Sequence, residues 1–214
     1  MNNTLIDNSI EALSMTATLR KCLAIDGIKT VSIATGYWDI PGLAILQENL
    51  RSFIEKDGTT LRLLIGKDPY IYANQLKSPK YKDANYPLDF IKTDIHELNV
   101  TEEYKDAIRL LLDYCTENND SKIQIRVFRK NENDETQFLH SKCYIFDGKS
   151  NGIGIGIVGS TNFTQKGLQG NAELNYIETA PNQVLSLDKI PGNKSHLIWF
   201  NEKWEISEPW NKQF

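Results

Sequence analysis

The sequence predicts an α/β domain in which one β-sheet carries helices on both faces. Predicted helices dominate the first half of the chain and predicted strands the second half. The two kinds of element are interleaved, which favours helices packed on a sheet over separate α and β domains. The 214 residues, of which 40% are hydrophobic and 24% charged, suffice for one well-filled core. We therefore expect a single domain over residues 1–214, and whether it is the N-terminal part of a longer protein stays open.

The first predicted elements are a helix and a strand. Asn8 and Glu11 have the spacing of a capping box, and apolar residues then recur at helical intervals toward Cys22. Residues 29–37 are rich in β-branched and aromatic side chains, which is typical of a strand. The chain is thus expected to enter the sheet directly after its first helix.

A second helix and a second strand follow. Asp39-Ile40-Pro41 is typical of a helix start, and an apolar stripe leads from there to the stop signal Asp57-Gly58. The short apolar run 61–65 predicts a buried strand. Residues 69–87 are polar, tyrosine-rich and irregular, which is unusual for a compact domain.

The second half of the chain has mainly strand signals. A further amphipathic helix is predicted over residues 101–115, and a closing helix contains Leu197, Phe200 and Trp204. The predicted strands are 123–128, 137–146, 153–158 and 173–179, with a charged connector at 129–136 and a turn at 147–152. Glycines alternate with isoleucines in the third of these strands. That period of two indicates a closely approached strand face, not a nucleotide-binding loop.

Polar residues suited to phosphoryl chemistry are concentrated in residues 138–175. Because side chains alternate along a strand, His140 and Lys142 are predicted to lie on one face, about 7 Å apart. Imidazole can act as a nucleophile or proton carrier near neutral pH, and lysine supplies a compact positive charge. A carboxylate such as Glu173 can hold the second histidine nitrogen. This set of groups favours binding of a phosphoryl group.

The spacing of these residues resembles the signature of the phospholipase D superfamily. His140-x-Lys142-x4-Asp147 is followed by Gly159-Ser160-x-Asn162, and Asn171-x-Glu173 extends the match. The downstream region is similar to the nuclease branch, which includes restriction endonucleases of the NgoFVII type and helicase-associated domains. Eleven residues, 148–158, separate Asp147 from Gly159, a longer spacer than the common pattern has.

The resemblance implies a phospholipase D-like mixed β-sheet flanked by helices on both faces. It also implies two-step cleavage of a phosphodiester through a covalent phosphohistidine on His140, with neither a metal nor another cofactor. Lys142 and Asn162 would hold the nonbridging oxygens, assisted by Ser160, and Glu173 would orient the histidine. Asp147 is either part of this site or the cap of a turn.

The mechanism that the resemblance implies needs two histidines, and the chain has one copy of the motif. Neither His96 nor His196 is followed by lysine two positions later. The sequence therefore predicts a symmetric homodimer that brings His140 of each subunit to one site. A group of basic residues just before the motif is predicted either to contact a DNA backbone or to be solvated: Lys122, Arg126, Arg129 and Lys130.

Three functions stay open from the sequence. The first is a DNA endonuclease domain of a restriction or helicase-type system, with target recognition or translocation supplied by another domain or partner chain. The second is a phospholipid hydrolase or transphosphatidylase, and the third is a catalytically silent module for dimerisation and DNA docking. The net charge of −4 means that any basic surface is local.

The expected setting is the cytoplasm. The chain has neither a long apolar segment nor a basic-then-apolar N-terminus, so no membrane association is predicted. Its three cysteines form neither a disulfide framework nor a zinc signature. One of them, Cys143, follows Lys142 and is expected to face the core.

Overall fold

The computed structural model describes residues 5–66, 102–115, 121–128, 139–186 and 194–210. The predictions for the segment 69–87, for His96 and for the connector 129–136 lie outside these residues.

Among the described residues, eight strands form one mixed sheet with the order β1-β7-β6-β5-β2-β3-β4-β8. In chain order the strands are β1 (Leu5–Asp7), β2 (Thr30–Thr35), β3 (Thr60–Ile65), β4 (Ile123–Val127), β5 (Cys143–Asp147), β6 (Gly154–Gly159), β7 (Leu174–Glu178) and β8 (Glu208–Pro209). The helices are α1 (Met15–Ala24), α2 (Ile40–Ile54), α3 (Glu102–Tyr114), α4 (Pro181–Leu185) and α5 (His196–Glu205). A π-helical turn spans Lys166–Gly170.

The strand directions place the ends of some strands and the starts of others at the same edge of the sheet. Strands β2, β3 and β4 are parallel, and β5 runs antiparallel to β2. Strand β6 is antiparallel to β5, and β7 to β6. Consequently β2, β3, β4 and β6 end at the edge where β5 and β7 begin. We call this edge the carboxyl edge, because the three parallel strands end there.

The sheet has a hydrophobic core on each face. On one face α1, α2 and α3 pack on inward side chains such as Ile33 and Tyr144. On the other face α4 and α5 cover a smaller cluster that includes Ala34 and Cys143. The predicted α/β architecture, with a mixed sheet between two helical layers, is confirmed. Cys143 faces the core, as the sequence predicts, and only 4% of its surface is exposed.

The second helix agrees closely with the sequence prediction. Asp39 is its N-cap, with Oδ1 accepting a 2.6 Å hydrogen bond from the amide of Gly42, and Pro41 lies in its first turn. The glycine face of β6 is closely approached, as predicted: a Cβ atom on Gly154 would lie 2.8 Å from Leu185, and one on Gly156 would lie 3.1 Å from the ring of His196.

Two elements begin several residues later than predicted. The first helix begins at Met15 with Ser14 as its cap, because Asn8 is used elsewhere: its side chain accepts from the Met15 amide and donates to the carbonyl of Gly167. The strand predicted over residues 137–146 begins only at Cys143. His140 and Lys142 therefore precede the regular strand and do not share one of its faces.

Within the residues that the structure describes, no helix is both long enough and apolar enough to cross a lipid bilayer.

Candidate active site

His140 and Lys142 lie at the carboxyl edge, on the segment that leads into β5. The His140 side chain is exposed, whereas only 7% of the Lys142 surface is accessible. The Lys142 ammonium group donates a 2.7 Å hydrogen bond to the carbonyl oxygen of His140. The fold thus holds a buried cation directly beside the backbone of His140, whose imidazole is exposed.

Two glycines form the floor beneath this segment. A Cβ atom on Gly66 would lie 2.1 Å from the carbonyl oxygen of Leu139 and 3.2 Å from the Cα of Gly36. At Gly36 the corresponding position is 3.4 Å from His140 Cδ2 and 3.4 Å from Asn162 Oδ1. The ends of β2 and β3 therefore approach the His140 segment at backbone distance, and the imidazole and the Asn162 amide are neighbours across Gly36.

The orientation of the Asn162 amide follows from its hydrogen bonds. The backbone N–H of Tyr37 donates a 3.1 Å hydrogen bond to the Asn162 side chain. Since a backbone N–H can only donate, the atom facing it is Oδ1, and the amide nitrogen points the other way. Asn162 accordingly presents an N–H donor at the carboxyl edge. The Tyr37 ring also makes an edge contact with the His140 ring, with the centroids 6.3 Å apart.

Ser160 connects the end of β6 to the start of β7. Its hydroxyl accepts a 3.1 Å hydrogen bond from the Leu174 amide, and its own amide donates to the Leu174 carbonyl. On the other side of β6, the Gly159 amide donates to the Lys142 carbonyl at 3.4 Å. The motif segment 159–162 is therefore registered against both β5 and β7.

The next residue, Thr161, is fully buried and clamped from two directions. Its amide donates to Asn175 Oδ1 at 3.2 Å, and Asn175 Nδ2 donates to the Thr161 hydroxyl at 2.8 Å. The Tyr144 hydroxyl donates to the Thr161 carbonyl at 2.9 Å. Burial, followed by the nearby charge of Glu173, raises the pKa of Tyr144 well above its ordinary value. Tyr144 is thus a neutral hydrogen-bond donor to this loop.

Glu173 lies at the same edge, half-buried, immediately before β7. Its Oε1 accepts a 3.1 Å hydrogen bond from the Asn171 amide group. Its charge is the second cause, after burial, of the raised pKa of Tyr144. The contact with the His140 ring that the sequence predicts for Glu173 stays a prediction.

Asp39 holds the far side of the Asn162 loop. Besides capping α2, its Oδ1 accepts a 3.0 Å hydrogen bond from the Gln165 amide. Burial raises the pKa of Asp39 above its ordinary value, although the hydrogen bonds from the amides of Gly42 and Gln165 oppose the shift. One carboxylate therefore fixes both the start of α2 and the segment that follows Asn162.

Asp147 lies at the other end of the sheet from His140. It is the last residue of β5 and pairs with Thr30 and Gly154. Its Oδ1 accepts a 2.6 Å hydrogen bond from the Lys149 amide, which is the geometry of a turn cap. Of the two roles that the sequence leaves open for Asp147, this contact supports the structural one.

Two residues of the predicted basic cluster, Lys122 and Arg126, lie within the described residues. Lys122 precedes β4 at the opposite edge, where its ammonium donates to the carbonyls of Ile54 and Lys56. The Arg126 guanidinium donates to the Trp204 carbonyl at 2.8 Å and lies over the Trp204 ring. Both side chains therefore have structural partners. Arg129 and Lys130 lie outside the described residues, and DNA contact by any of the four stays a prediction.

Sequence reasoning missed the residues that hold the motif in place. They are Thr35, Gly36, Tyr37, Asp39 and Asn175. The sequence pattern places Thr35 to Tyr37 only in a strand and Asp39 only at a helix start. The one local signal was glycine and polar residues at the end of an otherwise apolar strand, which is where loops of α/β sheets build sites.

The resulting arrangement can bind and attack an anionic group. An exposed imidazole, a buried ammonium group and an amide N–H donor lie on adjacent segments of one edge. Such donors stabilise developing negative charge on oxygen, and a neutral imidazole can act as a nucleophile. The geometry is suited to a phosphoryl group.

A solved structure shows that this fold occurs in a known protein. Comparison with curated protein sequences gave no significant match. A similar solved structure is Nuc from Salmonella typhimurium, described as a phospholipase D family member, with a TM-score of 0.53, 14% identity and 97% of both chains covered. NucT from Helicobacter pylori is also similar, with a TM-score of 0.47, 12% identity and coverage of 97% of this chain and 98% of that one.

A family model defines the relationship more directly. Residues 22–190 match the model described as "Cardiolipin synthase, PLD-like domain". This match covers more than half of the chain and contains β2, β5, β6 and β7, and with them every residue assigned above to the site. The chain therefore belongs to the phospholipase D-like family.

Proposed function

We propose that this protein is a metal-independent phosphodiesterase that cleaves DNA through a covalent phosphohistidine on His140. The observation that carries the proposal is the convergence of three motif side chains on one edge. The His140 ring and the Asn162 side-chain amide are neighbours across Gly36, and Lys142 is folded against the His140 carbonyl. Here the side chains alone supply the nucleophile and the positive charge that phosphoryl transfer requires.

In the first step, an imidazole nitrogen of His140 attacks phosphorus. A P–N bond forms, and the P–O bond to the leaving group breaks while that oxygen takes a proton from a second histidine. In the second step, water attacks the phosphohistidine. A new P–O bond forms, the P–N bond breaks, and the water proton returns to the second histidine. The overall reaction consumes one water and regenerates both imidazoles.

Lys142 and Asn162 stabilise the charge that develops on the nonbridging oxygens. Lys142 is suited to this role because the residue is almost completely buried, and a buried charge is screened only weakly by solvent and salt. Asn162 is suited to it because its amide nitrogen is turned away from Tyr37. Glu173 orients the His140 ring.

The second histidine is proposed to be His140 of a second copy of the chain. The motif occurs once, and His196 lies at the start of α5, where its ring packs on Gly156 and its Nδ1 faces the Gln183 carbonyl at 3.3 Å. A two-fold axis beside the carboxyl edge would bring two His140 side chains to one phosphate.

DNA is proposed as the substrate because the segment from Asn162 to Glu173 resembles the nuclease branch. That branch includes enzymes of restriction and helicase-type systems, in which a separate domain or partner supplies the target. We propose the same division of labour here, since the net charge of −4 is poorly suited to tight DNA binding by this chain alone.

The test is plasmid cleavage in excess EDTA by the wild type, His140→Ala and His196→Ala, with the mass of each sample measured by light scattering. We expect a wild-type dimer that nicks plasmid, loss of nicking in His140→Ala and retained nicking in His196→Ala. Cleavage that EDTA abolishes would contradict the metal-independent mechanism. Cleavage that survives in His140→Ala would contradict the assignment of His140 as the nucleophile.

A phospholipid substrate is the second candidate, and the description of the matched family, which names cardiolipin synthase, favours it. The same two-step chemistry transfers a phosphatidyl group when an alcohol replaces water. Phosphatidylglycerol liposomes assayed beside the plasmid distinguish the two substrates. Turnover of liposomes without nicking would favour the lipid enzyme, and activity on neither by a well-folded dimer would favour a silent docking module.

A further inference from the structure

The hydroxyl of Thr35 is the centre of a buried hydrogen-bond network at the end of β2. Thr35 has 0% of its surface exposed. Its Oγ1 donates a 2.6 Å hydrogen bond to the Tyr37 carbonyl and accepts a 3.0 Å hydrogen bond from the Phe163 amide. Asn162 Oδ1 lies 3.4 Å from the same oxygen. One hydroxyl therefore contacts the β2 exit and the Asn162 loop together.

The single proton of this hydroxyl determines which group donates and which accepts in each hydrogen bond of the network. A threonine hydroxyl has one hydrogen, and the short distance to Tyr37 O assigns it to that carbonyl. The chain from Thr35 to Tyr37 is thereby held in a tight turn, from which the Tyr37 N–H donates to Asn162 Oδ1. The Phe163 N–H, bound to Oγ1, fixes the backbone directly after Asn162.

We infer that Thr35 is a positioning residue for the phosphodiester cleavage proposed above, on which this inference rests. Its hydroxyl fixes both the backbone and the amide of Asn162, so that Nδ2 faces the reacting phosphoryl group. Without the hydroxyl, the Tyr37 N–H is no longer aimed at Oδ1, and the Asn162 amide can rotate. Thr35 acts through Asn162 and has no contact of its own with the substrate.

A second buried threonine distinguishes positioning from ordinary stabilisation. Thr59 is 2% exposed, and its hydroxyl contacts the carbonyls of Phe53 and Lys56 at 3.0 and 2.8 Å. It directly precedes β3 and lies at the opposite edge of the sheet from His140. Removal of its hydroxyl therefore disturbs a comparable set of buried hydrogen bonds without touching the Asn162 loop.

The kinetic test compares Thr35→Val, Thr35→Ser and Thr59→Val with the wild type, using bis(4-nitrophenyl) phosphate as the probe. We expect kcat of Thr35→Val to fall on the order of tenfold to hundredfold with little change in KM, because a misplaced donor weakens mainly the transition state. Thr35→Ser restores kcat, and Thr59→Val lowers thermal stability but not kcat. Equal losses of kcat in the two valine variants would overturn the inference.

A second measurement does not depend on catalysis. The side-chain NH₂ signals of Asn162, assigned in ¹⁵N spectra by their loss in Asn162→Ala, should move in Thr35→Val and stay in place in Thr35→Ser and Thr59→Val. Unmoved signals in Thr35→Val would overturn the inference. Moved signals in a protein that cleaves no phosphodiester would support the positioning role while removing the proposed function.

A measurement on the wild type applies if Thr35→Val does not fold. The amides of Tyr37 and Phe163 lie outside strand ladders, so their protection from hydrogen exchange depends on the network. We expect both amides to exchange as slowly as the core amides of β2. Exchange at the rate of exposed loop amides would show that the network does not hold and would overturn the inference.

Discussion

Asn162 and Asp147 are both polar residues of the sequence motif, yet the structure separates them. Asn162 lies beside His140, whereas Asp147 caps a turn at the opposite end of β5. We expect Asn162→Ala to raise the activation barrier by about 2.7–4 kcal/mol, as loss of one oxyanion donor does. Asp147→Asn should leave kcat close to that of the wild type, since an amide oxygen can still accept from the Lys149 amide.

The measurement is kcat and KM of both variants in parallel, with circular dichroism to confirm folding. A loss of kcat in Asp147→Asn as large as in Asn162→Ala would show that Asp147 takes part in the reaction. An unchanged kcat in Asn162→Ala would remove the proposed donor from the mechanism.

The residues that sequence reasoning recognised are close together along the chain. His140, Lys142 and Asn162 fall in one motif, and its spacing is visible in a single sequence. Their partners are not: the Tyr37 amide and the Thr35 hydroxyl contact the Asn162 loop across 125 and 128 positions. Hydrogen bonds of this range are created by strand order, which no local pattern encodes.

At the scale of elements, the spacing between β3 and the His140 segment depends on Gly66. An added Cβ would lie 2.1 Å from the Leu139 carbonyl, so Gly66→Ala must displace the backbone next to His140. We expect kcat to fall by about 100-fold, as misplacement by roughly an ångström does, and the free energy of unfolding to fall by about 1–3 kcal/mol.

Gly170→Ala is the matched control for this substitution. Gly170 ends the π-helical turn, and the nearest atoms to an added Cβ are on Lys166 at 3.9 Å, an ordinary contact distance. Its kcat should match that of the wild type. Kinetics and urea unfolding of both variants check the prediction, and wild-type activity in Gly66→Ala would show that the glycine floor does not set the position of His140.

Element boundaries were predictable where local signals had no competitor. Helix α2 begins at its N-cap Asp39 and ends before Gly58, because cap, proline and apolar stripe agree. Helix α1 begins later than predicted because Asn8 and Ser14 are both good capping residues. Tertiary structure decides which of them caps the helix, because Asn8 makes a long-range contact with the carbonyl of Gly167.

At the scale of the whole molecule, the proposed homodimer constrains the surface around the site. Exposed apolar side chains adjoin Ser160 on the strands β6, β7 and β1. Leu174, whose amide donates to the Ser160 hydroxyl, is 57% exposed. Tyr176 is 44% exposed and lies opposite both Val158 and Leu5 in the strand register. A second subunit that brings its own His140 to this edge must approach these side chains.

Leu174→Glu therefore tests the proposed assembly without disturbing the core. Two-fold symmetry introduces the carboxylate twice, and like charges brought near an interface oppose association. We expect the variant to be monomeric by light scattering at concentrations where the wild type is dimeric, and to lose phosphodiesterase activity with the dimer. Leu112→Glu is the control, because Leu112 is 58% exposed and lies near the end of α3, where Tyr114 accepts from Ser121 ahead of β4, at the opposite edge of the sheet from His140. A dimeric, active Leu174→Glu protein would place the subunit contact elsewhere, and an active wild-type monomer would show that one His140 suffices.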